Sequence, residues 1–365
     1  MTKKRVCVLF GGRSAEHKVS LMSAKNVFDA LDRSKYEAVL VGIDKSGKWL
    51  LMDSSRVEGF LLNADDPQKI CLAGGGKHVA LLPGSGGVFV SVDEPGKKTR
   101  ADVVLPMLHG TFGEDGSVQG LLKLAEVPFV GSSVLGSAAG MDKDAMKRLL
   151  READIPVVKH ITLRAKLKLP DFSGVVKTLG LPLFIKPANM GSSIGINKAH
   201  DEAEYLRFAR DAFRYDSKII IEEFVSGREL ECSVLGNDDP AASLPGEIKP
   251  THEFYSYDAK YIDENGASLV MPAEIPPEKT AEIQSLAIRT YKALYAEGLA
   301  RVDFFMRDDG AVFVNEINTM PGFTKISMYP KLWEKSGIGC GVLIDRLIET
   351  AFERHETARS LKTDY

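Results

Sequence analysis

Chemistry concentrates in one stretch of the chain, RVDFFMRDDGAVFVNEINTMPG, residues 301–322. Two apolar-rich runs flank Asp309-Gly310, and an Asp-Gly pair so placed is the strongest short-range hairpin signal. A two-residue loop there sets Asp308 opposite Ala311 and Phe305 opposite Val314. It also sets Asp303 opposite Glu316 and Arg301 opposite Asn318. Residues two apart on a strand share a face, as do directly opposed ones. One face then carries Arg301, Asp303, Phe305, Val314, Glu316 and Asn318. The other carries Val302, Phe304, Met306, Phe313, Asn315 and Ile317 and suits a core. Asp303, Glu316 and Asn318 offer only hard oxygens with no His or Cys nearby, which fits magnesium or manganese better than zinc. Magnesium keeps waters and shares its shell with substrate phosphates, so a nucleotide is implied. Arg301 beside such a cation can grip a phosphoryl oxygen bidentately or stabilise developing negative charge. A solvated hairpin face with charges of both signs accounts for the same residues, and a one-residue slip would part the carboxylates.

The chain that must position these groups has 365 residues, enough for two or three domains. Hydrophobic residues at 44% and charged residues at 27% are ordinary for a soluble globular protein. A net charge of −3 argues against nucleic-acid binding, which calls for a basic stripe. Cys7, Cys71, Cys232 and Cys340 are widely spaced, with no CxxC, so reduced thiols in a cytosolic enzyme are expected. No apolar run approaches the roughly 18–20 residues that span a bilayer, and the start MTKKRVCVLFGG lacks a signal-peptide core.

Taken in order, RVCVLF followed by Gly11-Gly12 and a helical pattern reads as a βα unit, whose strand end faces a ligand crevice. Glu16 sits near the helix start, where the dipole favours a carboxylate and where it could equally meet a cationic ligand group. Residues 45–100 read as a hairpin-bearing insertion. ADVVLPMLHG delivers His109 to the end of another buried strand, as a structural His or a ligand contact. The Gly/Ser-rich 131–140 stretch marks a domain boundary, and MDKDAMKRLLREAD reads as a helix with Met146, Leu149 and Leu150 inward. Lys143 lies in its first turn, tolerable where an anion binds. LPLFIKPANMGSSIGINK, 181–198, is a strand ending in Lys186-Pro187, then a loop of Gly191, Ser192, Ser193 and Gly195. It can cradle phosphate through backbone N–H groups and hydroxyls, or serve as a plain turn. KIIIEEFV and RELECSVLG are read as paired across Ser226-Gly227, with Glu222, Phe224, Glu229 and Glu231 on one face. The polar, aromatic segment 246–273, with Lys260 and Tyr261 in its middle, reads as a lid or a surface loop.

FGGRSAEHKVS, LHGTFGEDGSVQG, MDKDAMKRLL, KPANMGSSIGINK, FYSYDAKY, ARVDFF and NEINTMPGFT occur in this order along nearly the whole chain. Together they resemble the D-alanine–D-alanine ligases of the ATP-grasp superfamily. That resemblance implies α/β and α+β architecture in three domains: a parallel-sheet α/β domain at 1–139, a central ATP-grasp subdomain at 140–226 and a C-terminal one at 227–365. It implies ATP-dependent joining of two D-alanines through a D-alanyl phosphate, for bacterial peptidoglycan precursors in the cytoplasm. ATP is then a co-substrate, with two magnesium (or manganese) ions held by Asp303, Glu316 and Asn318. Lys143 and Lys186 would clamp phosphates, Ser193 would lie in the loop over them, and Lys260 would reach the transferred one. Glu222, Glu229 and Phe305 would meet the nucleoside. Glu16 would hold the ammonium of the first D-alanine, in a hydrogen-bonded chain with Ser192 and Tyr261, with His109 nearby. Arg301 and the Gly322 N–H would stabilise the oxyanion, and Ser327 with the Met328 N–H would bind the second D-alanine's carboxylate. Tyr261 would favour an amine nucleophile over D-lactate. A homodimer is the family expectation.

Overall fold

The computed structural model describes residues 2–250 and 267–362. Its first sheet is organised by β1, Lys4–Gly11, which is buried from Val6 onward. Side chains alternate across a strand, and β1 therefore feeds two cores. Val6, Val8 and Phe10 pack with Leu21, Ala24 and Val27 of helix α1, His17–Ala30. Cys7 and Leu9 pack with Val118 and Leu122 of helix α2, Ser117–Leu124, on the opposite face. A strand covered on both sides reads as an unbroken apolar run. β1 pairs in parallel with β2, Tyr36–Ile43, and with β9, Val103–Met107. The parallel part of the sheet is these three strands. The insertion adds β3 (Trp49–Met52), β6 (Lys77–Leu81), β7 (Val88–Ser91) and β8 (Lys98–Arg100) as antiparallel extensions of the same sheet. Between them β4 (Leu61–Leu62) and β5 (Cys71–Leu72) form a small separate hairpin.

A four-stranded antiparallel sheet follows, β10-β13-β11-β12, from His160–Arg164, Lys218–Glu223, Leu183–Pro187 and Asn197–Ala199. Helices α5 (Phe172–Leu179) and α6 (Glu202–Ala212) bury Val175, Tyr205 and Ala209 against its Ile185, Ile219 and Ile221. A third sheet contains β17 (Ala267–Val270), β16 (Gly246–Pro250), β14, β18 and β19 in that order, with β15 (Ala241–Ala242) paired to β14. In it β14 is Arg228–Gly236, β18 is Gly298–Met306 and β19 is Val312–Asn318. Its core takes Ile283 and Tyr291 from the helix Pro277–Ala293, and Met146 and Leu150 from helix α4, Lys143–Glu152. The last helix, Cys340–Arg359, packs Leu343, Ile344 and Leu347 into the first core, beside α1 and β1. Its Arg354 donates to the carbonyls of Phe129 and Gly131 and pairs with Glu297 at 3.3 Å. The expected break at 139/140 falls inside the helix Val134–Met141, whereas that at 226/227 falls between strands of different sheets.

Two pairings differ from expectation. Strands β13 and β14 do not form a hairpin: they part into different sheets at Gly227. Ile219, Ile220 and Ile221 are all buried, so β13 needs cover on both faces, and two sheets supply what one hairpin could not. Glu222 therefore stands on a different sheet from Glu229 and Glu231. The 301–318 hairpin also departs in detail. The Arg307 N–H donates to the Ala311 carbonyl at 2.9 Å and the Gly310 N–H to Arg307 at 2.9 Å, with Gly310 at φ +84°. The loop is thus Asp308-Asp309-Gly310, with glycine in the left-handed position of a three-residue turn. Phe304 then opposes Val314, and Phe305 opposes Phe313. A bulge at Asn315 inserts one residue and returns Asp303 to Glu316 and Arg301 to Asn318. Val314 accordingly goes into the core, and Phe313 takes its place beside Phe305.

Gly227 sits at φ +153°, and a Cβ there would lie 2.2 Å from the Met306 carbonyl oxygen. Gly227→Ala is expected to cost about 2 kcal/mol or more, read as a lowered urea midpoint. An unchanged midpoint would show that the joint tolerates a side chain.

Candidate active site

The three sheets meet around a cavity of about 780 Å³ lined by Glu16, His109, Lys143, Arg301, Glu316 and Asn318, among others. Each of these side chains is placed by an element's end or edge. Glu16 stands at the start of α1, just after the β1 turn, and is 7% exposed. The Ser192 hydroxyl, on the glycine-rich loop, donates to its Oε1. Gly110 approaches the other oxygen so closely that a Cβ would lie 2.4 Å from Oε2. Ser192 and Ser193 both have positive φ, 50° and 59°, a strained conformation that non-glycine residues adopt where surroundings enforce it. The Glu16–Ser192 half of the expected chain is therefore joined across two sheets. Lys260 and Tyr261 lie outside the described residues.

On the hairpin, Asp303, Glu316, Asn318 and Arg301 converge. Arg301 donates to both carboxylate oxygens of Asp303, at 2.7 Å each, and pairs with Glu231 at 2.9 Å. Asn318 donates to Asp303 at 3.1 Å. Lys143 reaches across from α4 to Glu316, 3.2 Å away, and donates to the Met190 carbonyl at 2.8 Å. The oxygens expected to bind cations thus already face protein cations. Two carboxylates directly opposed on paired strands, plus an amide oxygen, form a donor set that fits magnesium or manganese.

Lys186 ends β11 and is 7% exposed. Burial alone would lower its pKa, but Glu222 at 2.6 Å, with Glu316 and Glu229, carries it above the ordinary lysine value. Glu222 is more deeply buried still. Burial would raise its pKa, yet Lys147 at 2.9 Å and Lys186 hold it down to about 2. Glu229 lies half-buried on β14 opposite Phe305, itself half-buried beside Phe313.

His109 lies at the cavity wall, but both ring nitrogens are used inside the protein. Nδ1 donates to the Met320 carbonyl at 2.9 Å, and Nε2 accepts from the Ser23 hydroxyl at 3.1 Å. Ser23 in turn accepts from the Phe323 N–H at 3.1 Å. His109 thus positions the 320–323 loop, and offers the first-substrate region no free nitrogen. Ser327 accepts from the Thr324 N–H at 2.9 Å, at the start of the helix Met328–Lys335. Gly322 lies against it, since a Cβ there would be 2.8 Å from the Ser327 oxygen. A helix start with free N–H groups is an anion site.

Three groups were not singled out from sequence. Lys147 is fully buried, one helical turn beyond Lys143 in MDKDAMKRLL, and a lysine beside the inward Met146 and Leu150 was the available signal. Glu114, in LHGTFGEDG, is buried with its carboxylate accepting the Gly110 and Met320 N–H groups; burial, then Glu16, pushes its pKa up. Asn315, the bulge residue, accepts from Lys186 at 3.4 Å.

Known proteins are similar to this chain in sequence and fold. The family models described as D-ala D-ala ligase N-terminus and C-terminus match residues 5–132 and 149–349. The D-alanine--D-alanine ligase of Shouchella clausii (strain KSM-K16) is 54% identical over 365 residues, covering 100% of this chain and 98% of that one. The D-alanine-D-alanine ligase structure from Coxiella burnetii has a TM-score of 0.86 at 38% identity, over 98% of this chain and 96% of the other. The Bacillus anthracis D-alanine--D-alanine ligase complexed with ATP has a TM-score of 0.72 at 28% identity, over 97% and 99%.

His109 yields a pH prediction that needs no relative. Burial lowers its pKa from 6.5 to about 4. Between those values the unfolded chain binds a proton that the folded chain refuses, so stability falls as pH drops through that window. The loss reaches on the order of 3 kcal/mol by pH 4. His109→Gln should flatten this part of the urea-unfolding profile; the same slope in both proteins would contradict the assignment.

Proposed function

The chain belongs to the D-alanine–D-alanine ligase family, and we propose that it joins two D-alanines at the expense of ATP, through a D-alanyl phosphate, to make a peptidoglycan precursor. The observation that carries this reading is the register that sets Asp303 against Glu316 while Lys143 reaches Glu316 from the facing helix. A carboxylate does not form an amide at neutral pH without activation. The first D-alanine binds with its ammonium on Glu16, held in place by Ser192, and its carboxylate oxygen attacks the γ-phosphorus of ATP. Lys143 and Lys186 hold the phosphate oxygens, and the Ser192–Ser193 turn covers them. Glu222, Glu229 and Phe305 hold the nucleoside. The second D-alanine's carboxylate lies at Ser327 and the Met328 N–H, which aims its amine at the acyl carbon. Arg301 and the Gly322 N–H stabilise the tetrahedral oxyanion, and phosphate leaves as the peptide bond forms. Asp303, Glu316 and Asn318 hold two magnesium or manganese ions, which neutralise phosphate charge when bound.

Lys260, at the transferred phosphate, and Tyr261, completing the chain with Glu16 and Ser192, join this proposal through their motif alone. So does the preference for an amine over D-lactate. We place the protein in the cytoplasm, where ATP is supplied, acting without nucleic acid or membrane. The net charge of −3 and four free thiols support that placement. Among the described residues no helix is long and apolar enough to cross a membrane. A homodimer rests on the family expectation.

The deciding experiment supplies ATP, magnesium and a panel of D- and L-amino acids, and identifies the dipeptide formed. D-alanine should give D-alanyl-D-alanine with one ADP and one phosphate released per bond, and L-alanine should give neither. ADP release that ignores D-alanine would reject the reading. Glu16→Gln should raise the KM of the first D-alanine by on the order of tenfold or more, since a charge-assisted contact is lost, with ADP affinity nearly kept. Equal loss of both would remove Glu16 from that role. Asp303→Asn should shift the magnesium titration of activity to higher concentration; an unshifted titration would argue against ligation.

A further inference from the structure

Helix α4 carries two lysines one turn apart with different fates. Lys143 faces the cleft and Glu316, while Lys147 points beneath it and is wholly buried. The Lys147 ammonium lies 2.9 Å from Glu222 Oε1, and the other oxygen of that carboxylate lies 2.6 Å from Lys186. Lys186 in turn reaches the bulge residue Asn315 at 3.4 Å. A single row of polar contacts therefore runs from α4 through β13 and β11 to the bulge on β19. Neither Lys147 nor the inner oxygen of Glu222 touches solvent. Without Lys147, Glu222 would be a buried carboxylate with Lys186 as its one close cation among the described residues. It would then hold Lys186 more tightly and draw it from any competing phosphate.

We propose that Lys147 is a positioning residue for the nucleotide: it shares the charge of Glu222 so that Lys186 stays available to ATP. This rests on reading Lys186 and Glu222 as the nucleotide site. It is a role in binding, because Lys147 reaches neither substrate and acts only through Glu222. Burial lowers the Lys147 pKa from its ordinary value, Glu222 opposes that shift, and the nearby Lys186 and Lys143 add to it.

The test measures ADP affinity with magnesium, and steady-state kinetics, on the full chain carrying K147M, K186M, E222Q and K147M/E222Q. For K147M the expected result is an ADP Kd and a KM for ATP each raised about tenfold. The kcat at saturating ATP and both D-alanine KM values should stay within about twofold. In the E222Q background, adding K147M should change ADP affinity by less than about twofold, because the group through which it acts is already neutral. Should K147M alone not fold, K147Q, whose amide can still donate to Glu222, and the double variant against E222Q carry the comparison. Unchanged ADP affinity in K147M, or in K147Q where K147M does not fold, would overturn the proposal. So would a uniform loss of kcat and of every KM, or an undiminished effect in the E222Q background. K186M separates the two levels of argument. If it weakens ADP and the Lys147 variants do not, only the role of Lys147 fails; if it leaves ADP affinity intact, the nucleotide reading fails with it.

Discussion

Directly opposed carboxylates on paired strands are the constraint that the rest of this structure answers. Asp303 and Glu316 face one another on β18 and β19, and like charges so placed repel. Arg301 from the same strand and Lys143 from α4 set cations against them, with Lys186 from β11 one step further out. The cleft is therefore lined by paired charges of both signs. Such a site can accept a charged ligand by exchanging partners, without uncovering naked charge in a poorly solvated interior.

That arrangement explains why α4 matters more than its ten residues suggest. Its apolar stripe, Met146 and Leu150, is committed to the core of the third sheet, while its lysines engage Glu316 there and Glu222 on the second. Val157 adds a bridge to Val314, and the Val314 N–H donates to Pro156 at 2.8 Å. The second and third sheets are thus fixed against each other by the segment running from α4 to β10. The Glu16–Ser192 contact joins the first sheet to the same assembly. Substrate groups contributed by three sheets can then be held in one geometry, as ordered bimolecular chemistry requires.

Much of this was legible in the residues. The apolar run of β1, the insertion's hairpin character and the opposition of Asp303 to Glu316 follow from period-two patterning and turn chemistry. The hairpin also shows where such reading runs out. A two-residue loop and an unbroken ladder lead to the same Asp303–Glu316 pair as the actual three-residue loop followed by a bulge, because the two shifts cancel. Only the intervening residues reveal the difference, with Val314 inward and Phe313 outward. The split of β13 from β14 was hidden for another reason: a glycine between two strands looks the same whether the chain turns back or crosses to another sheet. Lys147 was illegible because a lysine on an apolar stripe is explained only by a partner, and Glu222 lies far along the chain. His109 showed its place at a strand end but not the carbonyl and hydroxyl that claim its nitrogens.

The last helix, Cys340–Arg359, completes a core that the first strand and helix of the chain begin. Leu343, Ile344 and Leu347 join the apolar core that α1 shares with β1 and β9, so this core stays incomplete until that helix is made. Domains that close locally can mature during synthesis; this one waits. Completion of this core is timed by the arrival of a helix far along the chain from the strand it helps to bury.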